Sequence, residues 1–304
     1  MLTRDDVTRA RATIADRLTR TPTLHSRALG AHLKCELFQP TGSFKARGAL
    51  NRLSSFTADE RRRGAITISA GNHAQAVAWA AAQQGVDALI VMASTASPQK
   101  IAATRSYGAT IDLEAETWIG AFERLPLLIE QTGRALVHPH DDPLVAAGAG
   151  TIGLEIEEDV PDADAVVVPV GGGGMIAGIQ AAIGERRRVI AVEPARASTF
   201  RAAVDAGHPV TLEPTSLADG CNAARLGDLA FALCRHLEHV VVSEEEIEEA
   251  FRALYAHAKL AVEPTAAVGL AALLSHKIRA ETPVVVVSGG NVDAEIASGI
   301  LGSR

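Results

Sequence analysis

Eight short runs of aliphatic and β-branched residues recur along the chain, each followed by a turn and an alanine-rich segment. They are AITIS (65–69), ALIVMA (88–93), ATIDL (109–113), ALVHP (135–139), AVVVPV (165–170), RVIAVEP (188–194), HVVVSE (239–244) and PVVVVSGG (283–290). Near-continuous apolar runs imply strands buried on both faces, hence parallel sheets covered by helices. The expected class is α/β, and eight strands suit either one sheet or two. HPHDDP (138–143) is polar, breaks the alternation, and is the best candidate for a crossing between two domains. At the N-terminus Val7, Ala10, Ile14 and Leu18 share one helical face, with Thr3 and Asp6 placed as a capping box. SEEEIEEAFRAL (243–254) reads as a helix whose acidic start is a solvated face.

A chain of 304 residues is long enough for one large domain or two moderate ones sharing a cleft. A net charge of −7 argues against non-specific nucleic-acid binding, which needs a basic face. Cys35, Cys221 and Cys234 are odd in number and form no CxxC pair, which suits reduced thiols. The N-terminus is charged throughout and lacks the apolar core of a signal peptide, and no run approaches the length of a membrane span. The expected location is the cytoplasm.

Four stretches carry chemistry. QPTGSFKARGAL (39–50) sets Lys45 among small and turn-forming residues at a helix start. VVPVGGGGMIAGI (167–179) runs from a strand through Gly171, Gly172, Gly173 and Gly174 into a helix beginning near Met175. Amides without side chains at a helix start can converge on a phosphate, although a tight strand-to-helix turn also needs glycine. The pattern is neither GxxxxGK[ST] nor GxGxxG, so a phosphorylated cofactor held by backbone fits better than ATP hydrolysis. SAGNHA (69–74) repeats the strand–turn–helix design at a strand's carboxyl end, where α/β sheets place ligands. There Ser69, Ala70, Gly71, Asn72 and His73 either receive a carboxylate or phenolic oxygen or cap the following helix. VVVVSGGNVD (284–293) ends a third strand with Ser288, either a cap or a donor to a buried heteroatom. Glu263, next to Pro264, reads as an ordinary carboxylate at a helix start.

Together these motifs, with ADG (218–220) and KLAVEPTAAVGLAA (259–272), resemble the fold-type II family of pyridoxal-phosphate enzymes, within its serine/threonine dehydratase and serine racemase branch. The resemblance covers nearly the whole chain. It implies two open twisted α/β domains with mostly parallel sheets and the cofactor in the cleft between them. Residues 1–50 plus 141–304 would form the large, cofactor-binding domain and residues 51–140 the small one. Lys45 would be the catalytic lysine linked covalently to pyridoxal 5′-phosphate beside Phe44. Gly171 to Gly174 and Met175 would hold the phosphate, Asn72 the phenolic oxygen, and Ser288 would face the ring nitrogen. A neutral hydroxyl there does not enforce a protonated ring, which weakens the electron sink and favours prompt β-elimination. The substrate carboxylate would dock on Ser69, Ala70, Gly71, Asn72 and His73, and freed Lys45 would take the α-proton.

The implied activity is dehydration and deamination of L-threonine or L-serine to a 2-oxo acid and ammonia. Alternatives are a serine or aspartate racemase, a 3-hydroxyaspartate dehydratase, and a binding protein that keeps the pocket without turnover. Ala70 stands where racemases of this type carry a serine that reprotonates the far face, which counts against racemisation. The branch also carries a divalent-cation site, Mg2+ or another, matched here by Glu193 and the Ala197 carbonyl, but Thr199 stands where an acid is expected. Trp118 either borders the side-chain pocket or packs within the small domain. The chain runs only a short way beyond SGGNVD, so no C-terminal regulatory domain is expected, and a homodimer or higher homo-oligomer is.

Overall fold

A computed structural model describes residues 2–302. Its strands are β1 (Thr23–Ser26), β2 (Ala31–Cys35), β3 (Ala65–Ile68), β4 (Ala88–Ala93), β5 (Thr110–Ala115), β6 (Ala135–Leu136), β7 (Ala165–Pro169), β8 (Arg188–Pro194), β9 (Glu238–Val242) and β10 (Pro283–Val287). They form a six-stranded sheet in the order β1-β2-β10-β7-β8-β9 and a four-stranded sheet in the order β5-β4-β3-β6. Every pairing is parallel except β1 with β2. The helices are α1 (Arg4–Ile14), α2 (Lys45–Ser54), α3 (Ala58–Arg63), α4 (Asn72–Gln84), α5 (Pro98–Ser106), α6 (Trp118–Thr132) and α7 (Pro143–Asp159). After them come α8 (Gly174–Ile183), α9 (Thr199–Ala206), α10 (Asp228–Cys234), α11 (Glu244–Ala253), α12 (Pro264–Leu274) and α13 (Ala294–Gly302).

The apolar runs are buried on both faces, as their composition requires. Val167 and Val285 join Ile247, Phe251 and Leu270 on one side of the larger sheet. Val166, Val168, Val284 and Val286 join Ile152, Ile176 and Ile179 on the other. Ile90 and Met92 face the α4 side of the smaller sheet, while Ile66, Leu89 and Val91 face Leu128. In α1, Val7, Ala10 and Ile14 are buried and the Thr3–Asp6 capping box forms, whereas Leu18 lies beyond the helix. In α11, Ile247, Ala250 and Phe251 turn inward and Ser243 caps the acidic first turn.

The sequence pattern does not reveal β1 and β2. TLHS is short, with both middle residues exposed, and AHLKC carries a lysine. Lys34 is nevertheless fully buried, because its Nζ donates to the Thr21 carbonyl at 2.8 Å and pairs with Glu155 at 2.7 Å and Asp159 at 3.1 Å. Arg47, also buried, continues this network. Its guanidinium reaches both oxygens of Glu36 at 2.7 and 2.8 Å and both of Glu155 at 2.7 and 2.9 Å. The first turn of α2 is thereby tied to the turn after β2 and to α7 by planar, bidentate pairs. Of ALVHP only Ala135 and Leu136 are strand, although the Val137 amide still donates to the Ile66 carbonyl at 2.9 Å; Pro139 further on has no N–H to give. Trp118 stands at the start of α6, 43% exposed and edge-on to Phe122, and is not packed into the interior.

Candidate active site

The loop Thr41–Phe44 is fastened to the end of β10. Ser43 bridges to Gly289, the Phe44 amide donates to the Ser288 carbonyl at 3.0 Å, and the Gly290 amide donates to Gly42 at 2.9 Å. Gly42 has φ +71°, and a Cβ there would collide with the Asn291 side chain at 2.4 Å, so only glycine fits. This fastening puts Lys45, the first residue of α2, beside the end of β10 and opposite the β7–α8 corner. One cavity is lined by Phe44, Lys45, His140, Gly171 to Gly174, Met175 and Ser288, so three motif corners that lie far apart in the sequence meet.

Lys45 Nζ donates to the Pro139 carbonyl at 2.7 Å and lies 5.1 Å from the centre of the Phe44 ring. Burial depresses its pKa to about 8, with nearby Glu263 acting in the opposite sense. An aromatic face favours a cation, so burial, not Phe44, makes this amine available in neutral form. The adjoining Val137–His140 strap is held by Thr67 Oγ1, which donates to the Val137 carbonyl at 2.7 Å, with His73 Nε2 3.0 Å from the same oxygen. Burial, followed by the Lys45 charge, drives His73 down to about 3. Burial also lowers His138 and His140, and the Lys45 charge acts on both in the same sense.

The glycine corner is tight as well as open. A Cβ on Gly171 would meet the Gly220 carbonyl at 2.8 Å, one on Gly172 the His140 ring at 2.2 Å, and one on Gly174 the His140 carbonyl at 2.7 Å. Gly173 has φ +86°. Packing therefore demands glycine here, and the bare amides at the start of α8 remain suited to an anion. Ser288 is buried and its Oγ has no hydrogen-bond partner, as is also true of Ser43 and Thr41. Such an orphan hydroxyl at the base of a cavity is what a ligand heteroatom would satisfy.

In the β3–α4 corner Ser69 Oγ accepts from the Gly71 amide at 3.1 Å, and the first-turn amides of α4 lie free of helical partners. Ala70 and Gly71 stand partly exposed in this turn. Asn72 is already engaged: its Nδ2 donates to both oxygens of Glu263 at 2.9 Å, and its Oδ1 accepts from Asn291 Nδ2 at 2.8 Å. Glu263 precedes α12 but makes no side-chain cap bond. The expectation of an ordinary helix-start carboxylate is thus corrected: buried, with its pKa raised to about 7 mainly by burial, Glu263 joins the end of β3 to the larger sheet through Asn72.

The cation site fares differently. Both Glu193 oxygens accept backbone amides at 2.8 Å, from Phe200 and Arg201, so this buried carboxylate caps the start of α9. Ala197 is buried in the preceding turn, and the Thr199 hydroxyl faces the Gly171 carbonyl at 3.4 Å. Among the described residues no group of three or more His, Cys, Asp or Glu side chains could hold a metal. A hard cation needs several anionic oxygens, and Glu193 with Ala197 does not supply them.

Sequence reasoning missed the Pro139 carbonyl, His140, Glu263 and Asn291 as parts of the site. For Pro139 and His140 the available signal was the polar break at HPHDDP, read as a crossing between domains. It also walls the cavity.

The model of the pyridoxal-phosphate dependent enzymes matches residues 14–290. The chain belongs to this family. An L-threonine ammonia-lyase of Thermotoga maritima is 41% identical, over 99% of this chain and 78% of its own length. A threonine deaminase structure from T.th. superposes with TM-score 0.90 at 40% identity, covering 96% of this chain and 99% of its own. Maize serine racemase superposes with TM-score 0.92 at 35% identity, covering 97% and 95%. The cavity described above fits the family's cofactor: a depressed amine, a cradle of bare amides and an unsatisfied buried hydroxyl line it together.

Proposed function

We propose that the chain is a pyridoxal-phosphate ammonia-lyase that eliminates water from L-threonine and releases an enamine, which takes up a water to give a 2-oxo acid and ammonia, with L-serine as a second substrate. The observation that carries this reading is the meeting of Lys45, its pKa near 8, with Gly171–Gly174 and Ser288 in one cavity. Gly171 to Gly174 and Met175 would hold the cofactor phosphate, and Phe44 and Ser288 would line the place of its ring. Pyridoxal phosphate supplies an electron sink that makes the substrate's α-hydrogen acidic. The substrate carboxylate binds at the Ser69–His73 turn, on the positive end of α4. Neutral Lys45 accepts the α-proton at Nζ, and the Pro139 carbonyl receives a hydrogen bond from that nitrogen and fixes its direction. Ala70 offers no proton to the opposite face.

We read residues 51–140 as a small domain closing on residues 1–50 and 141–304, with Asn72, Glu263 and Asn291 as the fastening between them. Cytoplasmic residence and a homodimer belong to the same reading; among the described residues no helix is long and apolar enough to cross a membrane. The likeness to maize serine racemase favours racemisation as a second reading.

The deciding experiment offers L-threonine, L-serine and L-threo-3-hydroxyaspartate to the cofactor-loaded protein and measures 2-oxo acid, with Lys45→Ala as control. Release from threonine that is lost in the control is expected. Absence of 2-oxo acid from all three substrates would overturn the lyase reading, and inverted amino acid in the recovered substrate would establish the racemase.

A further inference from the structure

His140 stands in the wall of this cavity, and the proposed reaction gives it no task. Its ring lies so close to Gly172 that a Cβ there would sit 2.2 Å from Cγ and 2.3 Å from Nδ1. Its main chain lies against Gly174, 2.7 Å from where that Cβ would be. A T-shaped contact with His138, centroids 4.8 Å apart at 80°, holds the ring from the other side. His138 is itself braced, since its Nδ1 accepts the amides of His140 at 3.3 Å and Asp141 at 2.8 Å. The His140 ring is thus seated by its neighbours, while its hydrogen bonding among the described residues is through the main chain and not through either ring nitrogen. A neutral imidazole always carries one N–H donor.

The neighbours define what that donor would meet. The ring packs on the glycine corner whose amides open on the first turn of α8, a place for an anion. Among the described residues Lys45 is the only lysine or arginine lining the cavity, and it is assigned to the chemistry. A phosphate monoester would be met there by neutral donors only, and a hydrogen bond to a charged oxygen is among the stronger ones available. We propose that His140 donates an imidazole N–H to the phosphate of the cofactor, a side-chain ligand beside the backbone amides of Gly171 to Gly174. This rests on the cofactor reading above. If the ring were only a spacer, any flat side chain would serve equally.

The test separates phosphate from ring. Cofactor-free wild type, His140→Phe and His140→Gln are titrated with pyridoxal 5′-phosphate and with pyridoxal, which has the ring and aldehyde but no phosphate, and binding is followed by absorbance. His140→Phe keeps the packing on Gly172 and removes the donor; should it fail to fold by circular dichroism, His140→Met makes the same comparison. Expected is about a tenfold or greater rise in Kd for the phosphorylated ligand, an unchanged Kd for pyridoxal, and partial recovery in His140→Gln. Equal affinity of variant and wild type for the phosphorylated ligand would overturn the proposal, as would an equal loss for both ligands. Failure of wild type to bind pyridoxal 5′-phosphate at all would instead sink the cofactor reading itself.

Discussion

Lys45 differs from a surface lysine in one measurable way. Its amine is driven to about pH 8 by burial, so it is available as nucleophile and base at pH values where a free lysine is protonated. Covalent capture of pyridoxal phosphate by the cofactor-free protein is therefore expected to accelerate as pH rises from 7 to 8 and to level off above about 9. Borohydride trapping at each pH measures it; continued acceleration to pH 10.5 would show an unperturbed lysine. The lysine was legible in the sequence because a long cation among Gly42, Ser43 and Phe44 is out of place on a surface. Its acceptor was not legible, since Pro139 contributes a main-chain carbonyl, which any residue type carries. Asn72 was legible as a polar residue at a strand end, but the carboxylate and amide that hold it lie 191 and 219 positions away.

At the scale of elements, α2 presents Lys45 only because its first turn is anchored. Arg47, two residues on, is fully buried between Glu36 and Glu155. Replacing Arg47 with Leu leaves buried Glu36 without its cation and Glu155 with Lys34 alone, and an expected loss of about 3–5 kcal/mol follows. Denaturant unfolding measures it. The loss should be smaller at pH 5 than at pH 8, because unpaired buried carboxylates relieve themselves by taking up protons. The parallel strands were readable from their apolar runs. The β1–β2 pair was not, because Lys34 looks like an exposed residue until Glu155 and Asp159 are placed beside it. Glu193 shows the reverse case: a family pattern placed it in a cation site, and the folded chain has its two oxygens closed by α9.

For the molecule as a whole, Glu263 and Asn72 join the two sheets through a buried carboxylate. Its folded pKa, near 7, lies above the ordinary value of 4.5. The folded protein therefore binds the extra proton between those values, and this group's contribution to stability is complete below pH 4.5 and lost as pH rises through 7. Measured as a difference between wild type and Glu263→Gln, stability is expected to fall by about 3 kcal/mol from pH 4 to pH 8. Parallel denaturation curves at the two pH values check this; a constant difference would place an ionised Glu263 at pH 5. The sequence by itself determined the α/β class, the burial of the parallel strands and the three glycine- and serine-rich corners, because periodicity and backbone freedom are local properties. Only the tertiary structure decided which corners share a cavity, that the strap after β6 walls it, and that Glu263 works for Asn72 and Glu193 for α9. Those outcomes depend on burial and on partners distant in the chain, and both arise only when the sheets are assembled.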